Sequence, residues 1–399
     1  MPFFMSPRLT YAIFAVLAAS VLLSCKKESH SSSGAPSLPF PVPPVVYVLG
    51  VENGSVVYWK DGKLNPVYSQ SGVIYDFGTS SLAASGGNIY IAGFETANAS
   101  PLFPYMPVFW LNGAATPLRD STGSASNGLA NSVAVAGSDV YVAGVRGYDS
   151  QVDEVPFSND SAAYPITGSV ATVWKNGTPV TLPGPGSVGL VDSGKYANRF
   201  VDDYVSGMFV SGSDVYVAGG TAYNVPAHAR YWKNGTAVDL GAMLIYSGSG
   251  NSAGFPTTTG IYVAGSDVYV SGLQQSAGWR TMAIYWKNGT PVFLGTDSLN
   301  GSVANSIFVS GSDVYVAGWQ NIGNYSRAML WKNGTATPLT SDDVSSTAMA
   351  VTLSGKDVYV AGYSWVAPHN YVACFWKNGT RFNLTDASSS AIAYSIKVE

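Results

Sequence analysis

The chain has 399 residues, enough for one large domain or two ordinary ones. Only 11 % of it is charged, the formal net charge is −4, 13 % is aromatic and 44 residues are glycine. These values exclude a disordered acidic chain, a charged coiled coil and a basic nucleic-acid binder, and they point to a turn-rich β protein.

Residues 1–24 carry one basic residue, Arg8, followed by an apolar run from Tyr11 to Leu23. That run falls short of the roughly 20 residues a spanning helix needs, and it reads as a secretory signal. Its end, Leu22-Leu23-Ser24-Cys25, resembles a bacterial lipobox. The resemblance implies cleavage before Cys25 and lipidation of that cysteine, which would be the membrane partner of the chain. Lys26 stands where lipoproteins retained at the inner membrane carry Asp, so the resemblance implies the outer membrane. Cys-Lys-Lys-Glu further resembles the surface-export signal of Bacteroidota lipoproteins, which implies the cell surface, with the periplasmic face as the alternative.

Residues 25–44 follow as a Ser/Pro-rich tether without periodicity. Its prolines favour an extended polyproline II path of ~3.1 Å per residue. One other cysteine exists, Cys374. With Cys25 lipidated it has no intrachain partner, and its place two residues before Trp376 predicts a buried thiol.

From residue 45 to 399 the chain is a repeat. A strand-like V-Y-V-A-G unit ends at Gly50, Gly93, Gly144, Gly219, Gly272, Gly318 and Gly362. A second unit, W-K-N-G or a variant of it, has its tryptophans at Trp59, Trp110, Trp174, Trp232, Trp286, Trp331 and Trp376. Each full repeat holds four strand signals. In the sixth they are Ser306–Ser310, Val314–Ala317, Ala328–Lys332 and Thr335–Leu339, with Asn333-Gly334 as a type I′ hairpin pair between the last two. Four antiparallel strands repeated seven times predict an all-β, seven-bladed β-propeller. The first repeat lacks its innermost strand and the last is followed by an extra one, Tyr394–Val398. The C-terminal strand is therefore expected to complete the first blade and close the ring.

The repeats resemble the HAF family of extracellular repeats, whose A-F-x-W-x-(N/D)-G-x-x-x-x-L pattern appears here as Ala229-Arg230-Tyr231-Trp232-Lys233-Asn234-Gly235. His228 matches the family's His-Ala start in this one repeat. The resemblance implies a structural scaffold and transfers no activity.

Most recurrent residues have structural readings. The tryptophans are expected between blades. The Asp of Gly-Ser-Asp is expected to close the turn before the second strand through side-chain-to-backbone bonds. Asn-Gly-Thr, at Asn176, Asn234, Asn288, Asn333 and Asn378, matches both a hairpin turn and an N-glycosylation pattern. Asp-Ser-Thr/Ala/Leu at Ser121, Ser161 and Ser298 resembles the O-glycosylation sequon of Bacteroidota, which makes those three serines modification candidates.

Chain direction sorts the connections onto two faces: short, uniform turns on one, variable loops on the other. From the glycine to the tryptophan the spacing runs 9, 17, 30, 13, 14, 13 and 14 residues along the repeats. Variable loops on a rigid scaffold are where binding concentrates. The third repeat has long loops at 145–170 and 183–205, acidic and aromatic, with Tyr148, Asp149, Asp153, Glu154, Tyr196, Asp202 and Asp203 as candidate ligand contacts. His228, Trp279, Trp319, Tyr363, Trp365 and His369 are further candidates on other variable loops. Exposed aromatics of this kind stack on sugar rings or anchor protein partners.

The sequence has no Cys/His metal cluster, no calcium-loop pattern, no phosphate loop and no G-x-S-x-G elbow, so neither a metal nor a cofactor is expected. The reading is a monomeric, outer-membrane-anchored binding or adhesion module for a glycan or protein. The alternatives are a glycoside hydrolase or lyase using the third-repeat carboxylates, and a scaffold of a surface complex.

Overall fold

In the computed structural model each repeat becomes one antiparallel sheet, and seven sheets form the ring of a seven-bladed β-propeller. The residues described are 44–67, 74–75, 81–96, 105–124, 127–147, 169–183, 202–222, 228–242, 256–275, 280–295, 301–341, 344–366 and 370–399. They belong to the compact unit Pro44–Glu399.

The sixth blade shows the pattern, inner to outer: Ser302–Ser310, Asp313–Ile322, Tyr325–Lys332 and Thr335–Pro338. The second blade differs in that its inner strand is split, with Ile74–Tyr75 and Leu82–Ser85 both pairing with Asn88–Thr96. In the first blade the inner strand is Ala391–Val398, antiparallel to Val46–Glu52. That C-terminal strand packs against the inner strands of blade seven and blade two, so the ring closes as the offset of the repeats predicts.

The core is seven clusters, one between each pair of neighbouring blades, and each holds one repeat tryptophan. Trp286, for example, reaches back from blade five onto Tyr216, Ala218 and Leu240 of blade four. The indole N–H of Trp174 donates to Arg119 O at 2.9 Å and that of Trp232 to Pro183 O at 2.7 Å, fastening each blade to the connector before it.

The glycine of V-Y-V-A-G answers to a β-bulge. The inner strands carry one extra residue at Asn131, Ser206, Thr259, Asn305, Met349 and Tyr394. The bulge drives a carbonyl onto the neighbouring strand, and a Cβ added at Gly318 would lie 2.0 Å from Val303 O. Beyond the bulge the second strand continues past its glycine, to Ile322 in blade six and Val366 in blade seven. It is thus longer than the V-Y-V-A-G run predicts, because its far half stays paired with the third strand. Several bulge side chains lace adjacent inner strands. Ser206 Oγ pairs with Thr258 Oγ1, Thr259 Oγ1 donates to Ala304 O, and Asn305 Nδ2 donates to Ala348 O.

The uniform face is built from one repeated cluster. In blade six Asn333 sits at φ 52° in its two-residue turn. Its Oδ1 accepts from Val314 N at 2.8 Å and its Nδ2 donates to Asp313 Oδ1 at 2.8 Å. Asp313 Oδ2 pairs with Lys332 Nζ at 2.8 Å, and that ammonium lies 5.1 Å over the Tyr315 ring. Blades three, four, five and seven repeat the arrangement. The Asp therefore serves the neighbouring hairpin's Asn and Lys side chains, and it is the Asn that makes the side-chain-to-backbone bond. With both functional ends of its amide engaged, the Asn is a turn residue in every such blade.

Candidate functional site

Hairpin height decides which variable-face side chains are open. In blade seven the second strand runs four residues past Gly362, to Val366. In blade one it runs two residues past Gly50, to Glu52, and turns back at Asn53-Gly54, with φ of 49° and 79°. Two extra strand residues raise the seventh hairpin by about 6.6 Å. Tyr359, Ala361, Ala373 and Phe375 pack in the core shared with blade one. Strand alternation puts Tyr363, Trp365 and Tyr371 on that same side, higher up.

These three aromatics form a wall above the low first blade. Trp365 pairs in register with Tyr371 and their rings lie 6.1 Å apart at 61°; Tyr363 and Tyr371 lie 5.1 Å apart at 83°. Trp365 remains 46 % exposed. Trp319, one residue past Gly318, faces blade seven; its counterpart in blade seven is Tyr363, and both are half-buried, whereas Trp365 stands two residues further out.

The floor is the connector 384–390 between the outer strand of blade seven and the closing strand. Asn370 Nδ2 donates to Ala387 O at 2.8 Å, and Ala373 N to Thr385 Oγ1 at 3.2 Å, tying it to blade seven. Ser389 Oγ donates to Glu52 Oε1 at 2.7 Å, and Asn53 N to Ser390 O at 2.9 Å, tying it to blade one. Asp386 accepts from both the N–H and the hydroxyl of Ser388, and these bonds, the hydroxyl's first, hold its carboxyl below the usual range. An open cleft of about 500 Å³ lies along this connector, lined by Glu52, Asn53, Asp386 and Ser389 and, toward the outer strand of blade one, by Trp59 and Leu64; none of the three aromatics lines it.

The other candidates divide. Asp203 is 5 % exposed and lies in the inner strand of blade four, Asp202–Ser211, not in a loop. Its Oδ2 accepts from Ala171 N of blade three at 3.2 Å. Ser302 and Ser346 occupy the same position in blades six and seven and accept likewise from Ala283 N and Ala328 N. Asp203 is therefore an inter-blade strap. Asp202 begins that strand, its side chain outside the described set. His228 is half-buried, its Nδ1 3.1 Å from Asp239 Oδ2. Ser121 is exposed in a turn organised by Asp120, which accepts from Thr122 and Ser124. Cys25, Tyr148, Asp149, Asp153, Glu154, Ser161, Tyr196, Trp279, Ser298 and His369 lie outside the described residues. Cys374 is buried, and desolvation pushes its thiol up to about 11, so it is protonated at neutral pH.

Beneath His228 lies Arg230, 3 % exposed, its guanidinium 5.7 Å over the Trp232 ring. The position two before the tryptophan holds Val57, Val108, Thr172, Ile284, Met329 and Cys374 in the other six blades. Burial pulls the Arg230 pKa down, opposed by the charges of Asp203 and Asp239. Among the described residues no three His, Cys, Asp or Glu side chains converge as a metal site. No helix among them is long and apolar enough to cross a membrane.

Sequence reasoning missed Glu52 and Asp386. The signal available was the nine-residue spacing of the first repeat, the shortest of the seven, which marks a low hairpin beside a tall one.

Fold and site together define a closed seven-bladed β-propeller with a uniform face and an uneven one. No family model matches the chain, and no curated protein matches it. Among solved structures it is similar to the Pyrococcus horikoshii acylaminoacyl peptidase (11 % identity, TM-score 0.36, 80 % of this chain and 53 % of that one). It is also similar to the Trypanosoma rangeli sialidase in complex with sialic acid (11 %, TM-score 0.39, 76 % and 54 %). A third is the β-propeller domain of the Trilobed protease from Pyrococcus furiosus (10 %, TM-score 0.33, 79 % and 98 %). The chain spans about half the length of the two peptidases it matches first.

Proposed function

We propose that the protein is a non-catalytic glycan-binding module, lipid-anchored at Cys25 to the outer membrane and held off it by the tether of residues 25–44. The observation that carries the binding reading is the Tyr363–Trp365–Tyr371 wall, raised over the first blade beside a connector bonded to both blades. An exposed indole offers a sugar ring a flat apolar partner. The wall stands on paired strands and the floor is bonded at both ends, so little ordering entropy opposes binding.

The hydrolase or lyase reading draws on third-repeat carboxylates. Of these, Asp203 is engaged between blades, and the side chains of the others lie outside the described residues. Lipidation of Cys25, and glycosylation of Ser121, Ser161 and Ser298, rest on their sequence resemblances and belong to this proposal. Titration of the full chain with neutral and amino-bearing hexasaccharides tests the binding reading. Saturable binding that Trp365→Ala removes, with an unchanged melting temperature, supports it. Binding that survives Trp365→Ala, or none across the set, overturns it. Release of shortened sugars during the titration would restore the enzyme reading.

A further inference from the structure

We infer that Asn53–Gly54, at the seam where the ring closes, is a site of spontaneous covalent modification: deamidation to aspartate and isoaspartate that loosens the joint between the first and last blades. Seven Asn-Gly turns among the described residues share one backbone conformation. Their φ is 49–52° at Asn53, Asn112, Asn176, Asn234, Asn288, Asn333 and Asn378, and 79–85° at the glycines that follow. All seven asparagines are exposed. Two further Asn-Gly pairs stand apart: Asn127 is 8 % exposed, and Asn300 lies outside the described residues. Neither sequence nor backbone separates the seven, but their carboxamides do.

In six of them the carboxamide is held at both ends. Its Oδ1 accepts a backbone N–H. Its Nδ2 donates at 2.7–2.8 Å to Asn88 in blade two, or to Asp139, Asp214, Asp267, Asp313 or Asp357 in blades three to seven. Asn53 is on the opposite face. Its Oδ1 accepts from Ser390 N at 3.1 Å, but among the described residues its Nδ2 donates to nothing.

The Ser390 N–H thus polarises the Asn53 amide carbonyl while the leaving nitrogen stays free. Gly54 N, with no side chain to shield it, attacks Asn53 Cγ. The new C–N bond closes a succinimide, the Cγ–Nδ2 bond breaks, and the nitrogen departs as ammonia with the proton from Gly54 N. Solvent water then opens either imide carbonyl, giving aspartate or isoaspartate. The turn must open for this attack in every case, so that cost cancels between the seven. An Nδ2 bonded to a carboxylate must also be released, which slows the reaction by about tenfold to a hundredfold. Isoaspartate routes the backbone through the former side chain and adds a methylene to a two-residue turn. Asn53 N donates to Ser390 O at 2.9 Å and Glu52 accepts from Ser389, so the lengthened turn pulls on both ties to the closing connector.

The test is peptide mapping by mass spectrometry of the full chain, sampled during incubation in warm, mildly alkaline buffer. The peptide carrying Asn53 is expected to convert about tenfold or more faster than those carrying the other six asparagines. Isoaspartate should be its main product, and the melting temperature should fall as it accumulates. Asp313→Ala frees Asn333 Nδ2 and should raise conversion at Asn333 toward the rate at Asn53. Lys332→Ala removes the ion pair at the same turn but keeps the bond between Asn333 and Asp313, and should leave Asn333 slow. Conversion of Asn53 at the rate of the other six overturns the proposal, as does equal acceleration of Asn333 in both variants or in neither. An unchanged melting temperature in chain converted at Asn53 overturns the loosening of the seam.

Discussion

The two faces of the ring are built from the same strands and differ in what the repeat controls. On the uniform face every turn has two residues, and the Asp–Asn–Lys–Tyr cluster recurs in five blades with side-chain distances that agree within a few tenths of an ångström. On the variable face the strands run on past their glycines by unequal amounts, and the exposure of a side chain depends on its neighbour's height. Trp319 and Tyr363, each one residue past its glycine, are both half-buried, whereas Trp365, two residues further out and facing the low first blade, is exposed. Repetition makes the first face a fastening; unequal height makes the second a set of shelves.

The contrast can be broken most severely at the bulge, where the two faces meet. Gly318→Ala places a methyl group 2.0 Å from Val303 O, a clash with backbone that no rotamer relieves. It should cost about 4 kcal/mol or more, read as a lowered denaturant midpoint, and the same substitution at Gly334, whose added Cβ meets nothing, should cost far less.

Arg230 breaks the apolar or small rule that its position keeps in the other six blades. Arg230→Ala removes the positive charge that faces the buried Asp203 carboxylate and should destabilise by about 3 kcal/mol. Arg230→Met, with Asp203→Ser copying blade six, should be neutral or stabilising, because an apolar side chain of that length escapes the desolvation cost. A thermal melt in which the methionine–serine variant fell as far as the alanine variant would show that the attraction between the Arg230 and Asp203 charges itself stabilises blade four.

The uniform face should be the acid-sensitive one. Asp139, Asp267, Asp313 and Asp357 are held below their usual range by their lysine first and their asparagine second, and Asp214 by Asn234 first and Lys233 second. A carboxyl whose folded pKa is lowered contributes stability above its unfolded value of ~3.9 and loses it as pH falls through the folded value. The melting temperature should therefore drop below pH ~4, and less steeply in a variant carrying Asp→Asn in several of these turns. The paired lysines are shifted upward, so their contribution is present below ~10.4 and fades only above it. Removing Asn333 by Ala should cost about 1–2 kcal/mol, since alanine at a left-handed φ is strained and two hydrogen bonds go with it.

The smallest expected effect on stability belongs to the variable face. Trp365→Ala should move the melt by no more than about 1 kcal/mol, because the residue is 46 % exposed and its ring meets Tyr371 only edge-on. The same variant should lose sugar binding, so fold and function would be seen to separate by face.

The seven blades, the two-residue Asn-Gly turns, the inter-blade tryptophans and the closing C-terminal strand were all legible in the sequence, because each rests on local spacing or on a residue type that a turn or a strand face demands. Even the glycine of each second strand was visible as a repeat, although its cause, a bulge on another strand, was not. The site was legible only in part. Tyr363 and Trp365 stood out as aromatics on a variable loop. Glu52 and Asp386 did not, since each looks like an ordinary polar turn residue until the ring closes and Ser389 meets Glu52 across 337 positions of chain. Asp203 read as a loop acid because its strand partner and its Ala171 contact lie on other segments. Sequence alone determined the repeat and its count, through local conformational preference and periodic burial. Tertiary structure alone decided which aromatic is uncovered and which segments meet at the seam, because those depend on hairpins that become neighbours only when the first and last blades meet.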